Sequence, residues 1–278
     1  MMKLLILASL TVDYIDKEKK PGGPAFFCSI AAETMGIDYY CYGVMPREYL
    51  WERPRGIFLP SDGPVFEHKY IGDERISRIL KTPSIINKLP NIEKFTIGLI
   101  SPVFSEFSID LVQNILKRIP CAIDLQGFVR LKDPNNRIIY GLTDKKILSI
   151  ANSALIVHAS KEEMDVVGEI PDTITVITYG SKGSRIKHED KDIYIPAYRV
   201  RGDPTGAGDF YTTILLIRFY STGDVLEAAI YATAATSLFI EGKIGRNFRK
   251  IVPISDLKAE INERTKKIEN KIETLGRS

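Results

Sequence analysis

The chain has 278 residues, 44% hydrophobic and 26% charged, an ordinary globular composition with enough length to bury a full core. Its 38 basic and 35 acidic residues leave a net charge of +3, too even a balance for a nucleic-acid-binding surface. Cys28, Cys41 and Cys121 are scattered and none forms a CxxC. That excludes a closed disulfide set, argues against zinc or dithiol chemistry, and fits a reducing cytoplasm.

Leu4–Leu10 is a short apolar run followed by Asp13, with no convincing cleavage site, and reads as a buried first strand. Thr11–Lys20 is polar and short-periodic. Pro21-Gly22-Gly23-Pro24-Ala25 then opens a helix over Pro24–Met35, and Tyr39–Val44 is the next strand. Residues 63–82 are again polar, with Glu67 to Arg75 patterned like a hairpin, which as sequence alone is equally a solvated surface feature. Strands are predicted at Phe95–Ile100, Cys121–Leu125, Ala154–His158 and Ile174–Tyr179. Helices are predicted at Ile109–Arg118, Asp144–Ala151, Asp209–Tyr220, Val225–Ile240 and Ile254–Leu275. This alternation predicts an α/β fold with a mostly parallel sheet covered on both faces. Ligands of such sheets gather beyond the carboxyl ends of the strands, where Asp13, Ser101, Asp124, Ser160 and Gly180 fall. No window is long enough to cross a bilayer, since Arg218 interrupts Tyr211–Tyr220. His68, His158 and His188 are isolated in sequence and read as surface or strand filler.

The most informative stretch is Arg201-Gly202-Asp203-Pro204-Thr205-Gly206-Ala207-Gly208-Asp209-Phe210. A small-residue turn enters a helix whose first N–H groups and dipole favour an anion, phosphate above all. Asp209 is out of place beside a phosphate cradle unless it accepts a proton from a hydroxyl that attacks the phosphate. The alternative is a helix start with Asp209 as a cap or dipole partner. No GxxxxGK[ST] occurs, and Tyr211 stands where the last glycine of a GxGxxG would be.

Asp203-Pro204-Thr205-Gly206-Ala207-Gly208-Asp209 closely resembles the C-terminal signature of the ribokinase-like (PfkB) carbohydrate kinases. The resemblance implies a three-layer αβα sandwich with a small β lid, built as one kinase domain over 1–278 with lid strands inserted at about 11–20 and 63–82. It implies that Asp209 is the catalytic base and that the amides of Gly206, Ala207 and Gly208 form the anion hole. Thr178-Tyr179-Gly180-Ser181-Lys182-Gly183 resembles the family's Thr-x-Gly-x-x-Gly segment for ATP, giving Thr178, Gly180, Lys182 and Gly183 donor-binding roles. A plain strand–turn–strand connection is the other reading of these residues. Ser160-Lys161-Glu162-Glu163 stands at the family's Asn-x-x-Glu motif, so Glu163 inherits the Mg²⁺-side acid and Ser160 a nucleotide-side position. Ser160 departs from the family's Asn, and both glutamates also suit the first turn of a helix.

Asp13, Gly22 and Gly23 match the family's acceptor-binding positions, although Phe26, Phe27 and Cys28 stand where ribose- and fructose-type members carry Asn. Asp124-Leu125-Gln126-Gly127-Phe128-Val129-Arg130 resembles the Asp-x-Gln-Gly-Phe-x-Arg run of the myo-inositol kinase branch, which gives Gln126 and Arg130 substrate-binding roles. The expectation is therefore a cytoplasmic, ATP- and Mg²⁺-dependent kinase of a small polyol or sugar, myo-inositol first, with no nucleic-acid or membrane partner. A homodimer through the lid fits the resemblance. A kinase of this family for ribose, another sugar or a nucleoside, and a non-catalytic sugar- or nucleotide-binding protein of this fold, are the alternatives.

Overall fold

The structure is a computed structural model, describing residues 2–71, 74–89, 91–142, 144–189 and 191–276. In chain order the strands are β1 (Lys3–Ala8), β2 (Thr11–Ile15), β3 (Glu18–Gly22), β4 (Asp38–Pro46), β5 (Gly56–Ser61), β6 (Val65–Ile71), β7 (Glu74–Lys81) and β8 (Ile97–Ser101), followed by β9 (Cys121–Asp124), β10 (Arg130–Lys132), β11 (Ile138–Tyr140), β12 (Ile156–Ser160), β13 (Ile174–Thr178), β14 (Gly183–His188) and β15 (Lys191–Pro196). The α-helices are α1 (Pro24–Thr34), α2 (Ile109–Leu116), α3 (Gln126–Val129), α4 (Lys146–Asn152), α5 (Lys161–Val167), α6 (Ala207–Thr222), α7 (Val225–Ile240) and α8 (Lys258–Gly276).

Nine strands form one sheet in the order β15-β14-β13-β12-β9-β8-β1-β4-β5. Pairing is parallel from β13 across to β5, and the two antiparallel pairings, β13–β14 and β14–β15, lie at one edge, so β14 alone runs against the rest. The two-residue pleat divides β1 between two cores: Leu4, Ile6 and Ala8 pack on one face, Leu5 and Leu7 on the other. The first face is covered by α1, α6, α7 and α8, and the second by α2, α4 and α5. Strands buried on both faces read as continuous apolar runs, which is why β1 resembles a leader segment in sequence. None of the described helices is long and apolar enough to cross a membrane.

A second sheet, β3-β2-β6-β7, is built from the two polar segments expected to form a lid. Gly72 and Asp73, the expected tip of the β6–β7 hairpin, lie outside the described residues. Glu48 ties this sheet to the main one. It accepts from Lys19 Nζ on β3 at 2.6 Å and Lys81 Nζ on β7 at 2.8 Å, and these bonds pull its carboxyl down to about 2.

Helix α6 runs buried from Phe210 to Ile217, packed among α1, α7 and the sheet. Its start is fixed by aromatic packing. Phe210 stacks on Phe239 of α7 with ring centroids 4.5 Å apart, and Phe27 of α1 meets Phe239 edge-on at 6.2 Å. Gly206, the N-cap of α6, has φ 75°, and a Cβ there would lie 2.1 Å from the Phe27 ring. Only glycine satisfies both conditions. The Phe26-Phe27-Cys28 run therefore lies in the core beneath the Gly206 turn, where Phe26 also meets Phe248 at 5.3 Å.

Phe239→Ala removes the ring shared by α1, α6 and α7. The expected cost is about 3–5 kcal/mol, the range for buried aromatic truncations, read as a lowered denaturation midpoint in urea.

Candidate active site

The strand pleat gathers the site. Along β8, Ile97 and Leu99 face α6, so Ser101, two residues on, does the same. Ala122 and Ile156 put Asp124 and His158 in that phase too, and the two are register partners across β9 and β12. Thr178 follows Ile174 and Val176 on β13 by the same rule. Four polar residues at adjoining strand ends thus look toward the first turn of α6.

Asp209 is the third residue of that turn and is partly exposed. Burial, and then the charge of Asp124, raise its carboxyl to about 7, against the lowering effect of His158, Arg130 and Ser101. Ser101 Oγ lies 3.5 Å from its Oδ1. Cys28 Sγ is 3.7 Å from the Asp209 carbonyl, and burial pushes this thiol well up, leaving it an inert wall. The preceding loop is braced by Arg246, which donates to Thr205 O at 2.8 Å and to Asp203 O, and stacks 4.1 Å from the Phe239 ring. Thr205 N donates to Asp203 Oδ1 at 2.9 Å.

The amides of the turn are not equivalent. Ala207 N donates to Pro204 O at 3.0 Å, whereas no protein acceptor among the described residues meets the amides of Gly206, Gly208 or Asp209. An anion seated here finds Gly208 and Asp209 open, while Ala207 N is already engaged in the turn. The expectation that Ala207 donates is thus met by a competing internal bond.

Beneath the turn lies a buried charge cluster. His158 Nδ1 and Asp124 Oδ2 are 2.7 Å apart, and the two residues are only 5% and 4% exposed. Burial works against the imidazolium, but the charge and hydrogen bond of Asp124 outweigh it, so His158 titrates above its ordinary range. Read in sequence as isolated filler, His158 is brought by the fold against Asp124. A signal for it lay in the alternation of the β12 run, which puts a histidine between apolar neighbours at a strand end.

Gln126 and Arg130 open α3 and β10, with Arg130 donating to Gln126 Oε1 and to Val103 O at 3.4 Å. Arg130 Nε is buried without a partner, an orphaned donor that suits an anionic or hydroxylic ligand. Ser160 caps α5, and Glu163 Oε2 returns the bond by accepting from Ser160 N at 2.7 Å. Burial, and then Asp124, raise the Glu163 carboxyl. Among the described residues no group of three His, Cys, Asp or Glu side chains could hold a metal ion. A divalent cation here would be held by fewer than three such side chains, with water and ligand oxygens completing its shell.

A cleft of about 760 Å³ runs from the turn toward α7. Thr178, Gly180, Gly183, Ala207 and Gly208 line it, while exposed Lys182 and half-buried Ser160 do not. Its far wall includes Tyr198, Thr233, Thr236 and Ile240, of which only Ile240 falls in the stretch 240–247 that sequence points to for adenine. Thr236 Oγ1 is buried with no partner there.

On the lid side, Thr11 Oγ1 donates to Asp13 Oδ1 at 2.7 Å, and His68 Nε2 stands 3.8 Å from Asp13 Oδ2. A Cβ at Gly22 would fall 2.1 Å from Asp13 Oδ2, so this glycine makes room for the carboxylate. Gly23 caps α1, and Ala25 N donates to Ser9 O at 3.2 Å, anchoring this turn at the exit of β1. His68, half-buried and stacked on Phe66, is a second histidine with a site-side partner.

A profile of the pfkB family carbohydrate kinases matches residues 134–248, which include the phosphate-type turn and most of the cleft. Inositol 3-kinase of Arabidopsis thaliana is 26% identical over 263 residues, 88% of this chain and 74% of its own length. A pyrophosphate-dependent kinase in the ribokinase family, solved with a pyrophosphate analogue and myo-inositol, superposes with TM-score 0.65 at 18% identity, over 86% of this chain and 95% of that one. A sugar kinase from Pyrococcus horikoshii, solved with ATP, superposes with TM-score 0.67 at 18% identity, over 94% and 99%.

If Asp209 must be ionised to act, kcat/KM rises as pH passes about 7 and falls away below it. Arg130→Gln removes a charge that favours ionised Asp209, so the acid limb moves to higher pH. A pH–rate profile of both proteins checks the direction.

Proposed function

We propose that the chain is a ribokinase-like (PfkB) carbohydrate kinase, a phosphotransferase with an alcohol group as acceptor, and that it carries the γ-phosphate of ATP to a hydroxyl of myo-inositol. The single observation that carries the reading is Asp209, partly exposed and held near pKa 7 in a helix first turn with open amides. A purely structural helix cap has no need of a carboxyl perturbed in this way.

In this reading residues 1–278 act as one kinase domain with β2, β3, β6 and β7 as its lid. The acceptor is held by Asp13 with the Gly22–Gly23 turn on one side and Gln126 and Arg130 on the other. Its hydroxyl proton passes to the Asp209 carboxylate as the oxygen bonds to the γ-phosphorus and the bridging P–O bond to ADP breaks. The amides of Gly208 and Asp209 hold the charge that gathers on the transferring group, with Gly206 and Ala207 shaping the turn. Such preorganised donors commonly supply the largest catalytic effect. The donor lies in the cleft along Thr178, Gly180 and Gly183, with exposed Lys182 free to swing toward phosphate as a mobile cation. Thr236 Oγ1 offers an unpartnered group to the nucleoside end. Glu163 would be the acidic neighbour of an Mg²⁺ held largely by water, which would neutralise charge on the donor phosphates.

The myo-inositol assignment is supported by the Asp124–Arg130 run and by likeness to the Arabidopsis enzyme. Two further proposals accompany it: the protein works in the cytoplasm, and pairs of copies join through the lid.

Asp209→Asn is expected to keep fold and ATP binding while turnover falls about 10²–10⁴-fold, as for loss of a general base. Near-wild-type turnover sinks the mechanism. An ADP-release screen over polyols, pentoses, hexoses and nucleosides should give the highest kcat/KM with myo-inositol. A rate with ribose or a nucleoside and none with myo-inositol moves the acceptor assignment to that compound, and ligand binding without ADP release identifies a binding protein instead.

A further inference from the structure

Each ring nitrogen of His158 has a side-chain partner. Nδ1 faces Asp124 at 2.7 Å, while Nε2 lies 3.4 Å from Thr178 Oγ1, a residue that lines the donor cleft. The imidazole is buried, with the Tyr211 ring centroid at 6.2 Å and Gly208, which adds no side chain, beside Cε1. Asp124 from β9, Glu163 from α5 and Asp209 from α6 are the charged groups that act on it, and Tyr211 and Thr178 complete its surroundings.

We propose that Asp124 and His158 are a positioning pair that fixes the direction of the Thr178 hydroxyl and aims its hydrogen at a phosphate oxygen of the donor. The inference rests on the donor-cleft reading above and adds a polarity to it. A threonine hydroxyl has one hydrogen and two lone pairs, and its rotation follows its neighbours. With Nδ1–H donated to Asp124 and Nε2 also protonated, Thr178 Oγ1 must accept from Nε2. Its hydrogen then has two destinations, Ala159 O at 3.4 Å or the open cleft. The two contacts of Thr178 Oγ1 are equally long at 3.4 Å, but a protonated Nε2 is a charged donor while Ala159 O is a neutral acceptor, so an anionic phosphate oxygen takes the hydrogen from Ala159 once the donor enters. A bare Nε2 reverses the arrangement: the hydroxyl donates inward and its lone pairs confront the phosphate. The buried carboxylate thus acts on the Thr178 hydroxyl through two hydrogen bonds, and on the donor through a third, without touching either.

The test needs no turnover. In ¹⁵N spectra of the full-length wild-type chain at pH 7, both imidazole nitrogens of His158 should be protonated. Calorimetry should show Thr178→Val weakening ATP binding about 10-fold or more, the usual scale for a lost hydrogen bond to a charged group. His158→Asn keeps a donor toward Asp124 but cannot reach Thr178, and should weaken ATP to a similar degree. Combining the two should add nothing further, a non-additivity that a merely structural histidine would not produce. A bare Nε2 in the wild type, or two effects that simply add, overturns the pair while leaving ATP as donor. A wild-type chain that binds no ATP removes the donor-cleft reading and this inference with it. If His158→Asn does not fold, the wild-type spectrum and Thr178→Val decide the matter.

Discussion

The site depends on a phase. Because side chains alternate along a strand, Ser101, Asp124, His158 and Thr178 reach the α6 face only if each lies an even number of residues from an apolar residue buried there. A slip of one residue in β9 or β12 would turn Asp124 or His158 into the opposite core, among Ile123, Val157 and Ala159. Register in a sheet buried on both sides is held by that apolar burial. The polar cluster is thus fixed by the packing of residues that take no part in it, and α6 needs only to point its first turn at one place.

What the sequence reveals follows from how local each feature is. The helix at α7 and the start of β1 were readable within a residue or two, since runs of apolar residues and turn signals are contained in their own windows. The turn at Gly206–Asp209 was readable because its small residues, its acid and its helix are consecutive. The Asp124–His158 pair was not, being 34 residues apart and joined only through parallel pairing of β9 and β12. Ala207 N, engaged by Pro204 O, shows the same limit at short range: composition names a turn, but its internal bonds need coordinates. Phe26 and Phe27 stand where ribose- and fructose-type members carry Asn, and only coordinates reveal that both rings lie in the core behind the Gly206 turn.

Charge balance explains why the acid of the turn is perturbed. Asp124, Glu163 and Asp209 share a poorly solvated region with two cations, His158 and Arg130. Asp124 is already bound to His158, and Glu163 to the backbone of its own helix. Arg130 divides its donors between Gln126 and Val103. Asp209 has only a long contact from Ser101, so it is the carboxyl left least compensated. Partial burial with weak compensation raises a carboxyl, and a raised carboxyl near neutrality is suited to exchanging a proton.

The same economy of partners separates the two mouths of the site. On the donor side, Gly208 and Asp209 amides and Thr236 Oγ1 are open, and the glycines at 180 and 183 let backbone approach a ligand. That is a surface for an anion with an apolar, hydrogen-bonding tail. On the lid side the polar groups are carboxylate, imidazole and hydroxyl, already coupled as Thr11–Asp13 and Asp13–His68. Such a chain can accept and donate at once, which suits neighbouring hydroxyls and repels a second phosphate. Arg130, with one donor uncommitted, belongs electrostatically to Asp209 and Glu163, between the two regions. The polarity of the candidate site, suited to an anion at one end and to hydroxyls at the other, thus follows from which groups the fold has left without partners.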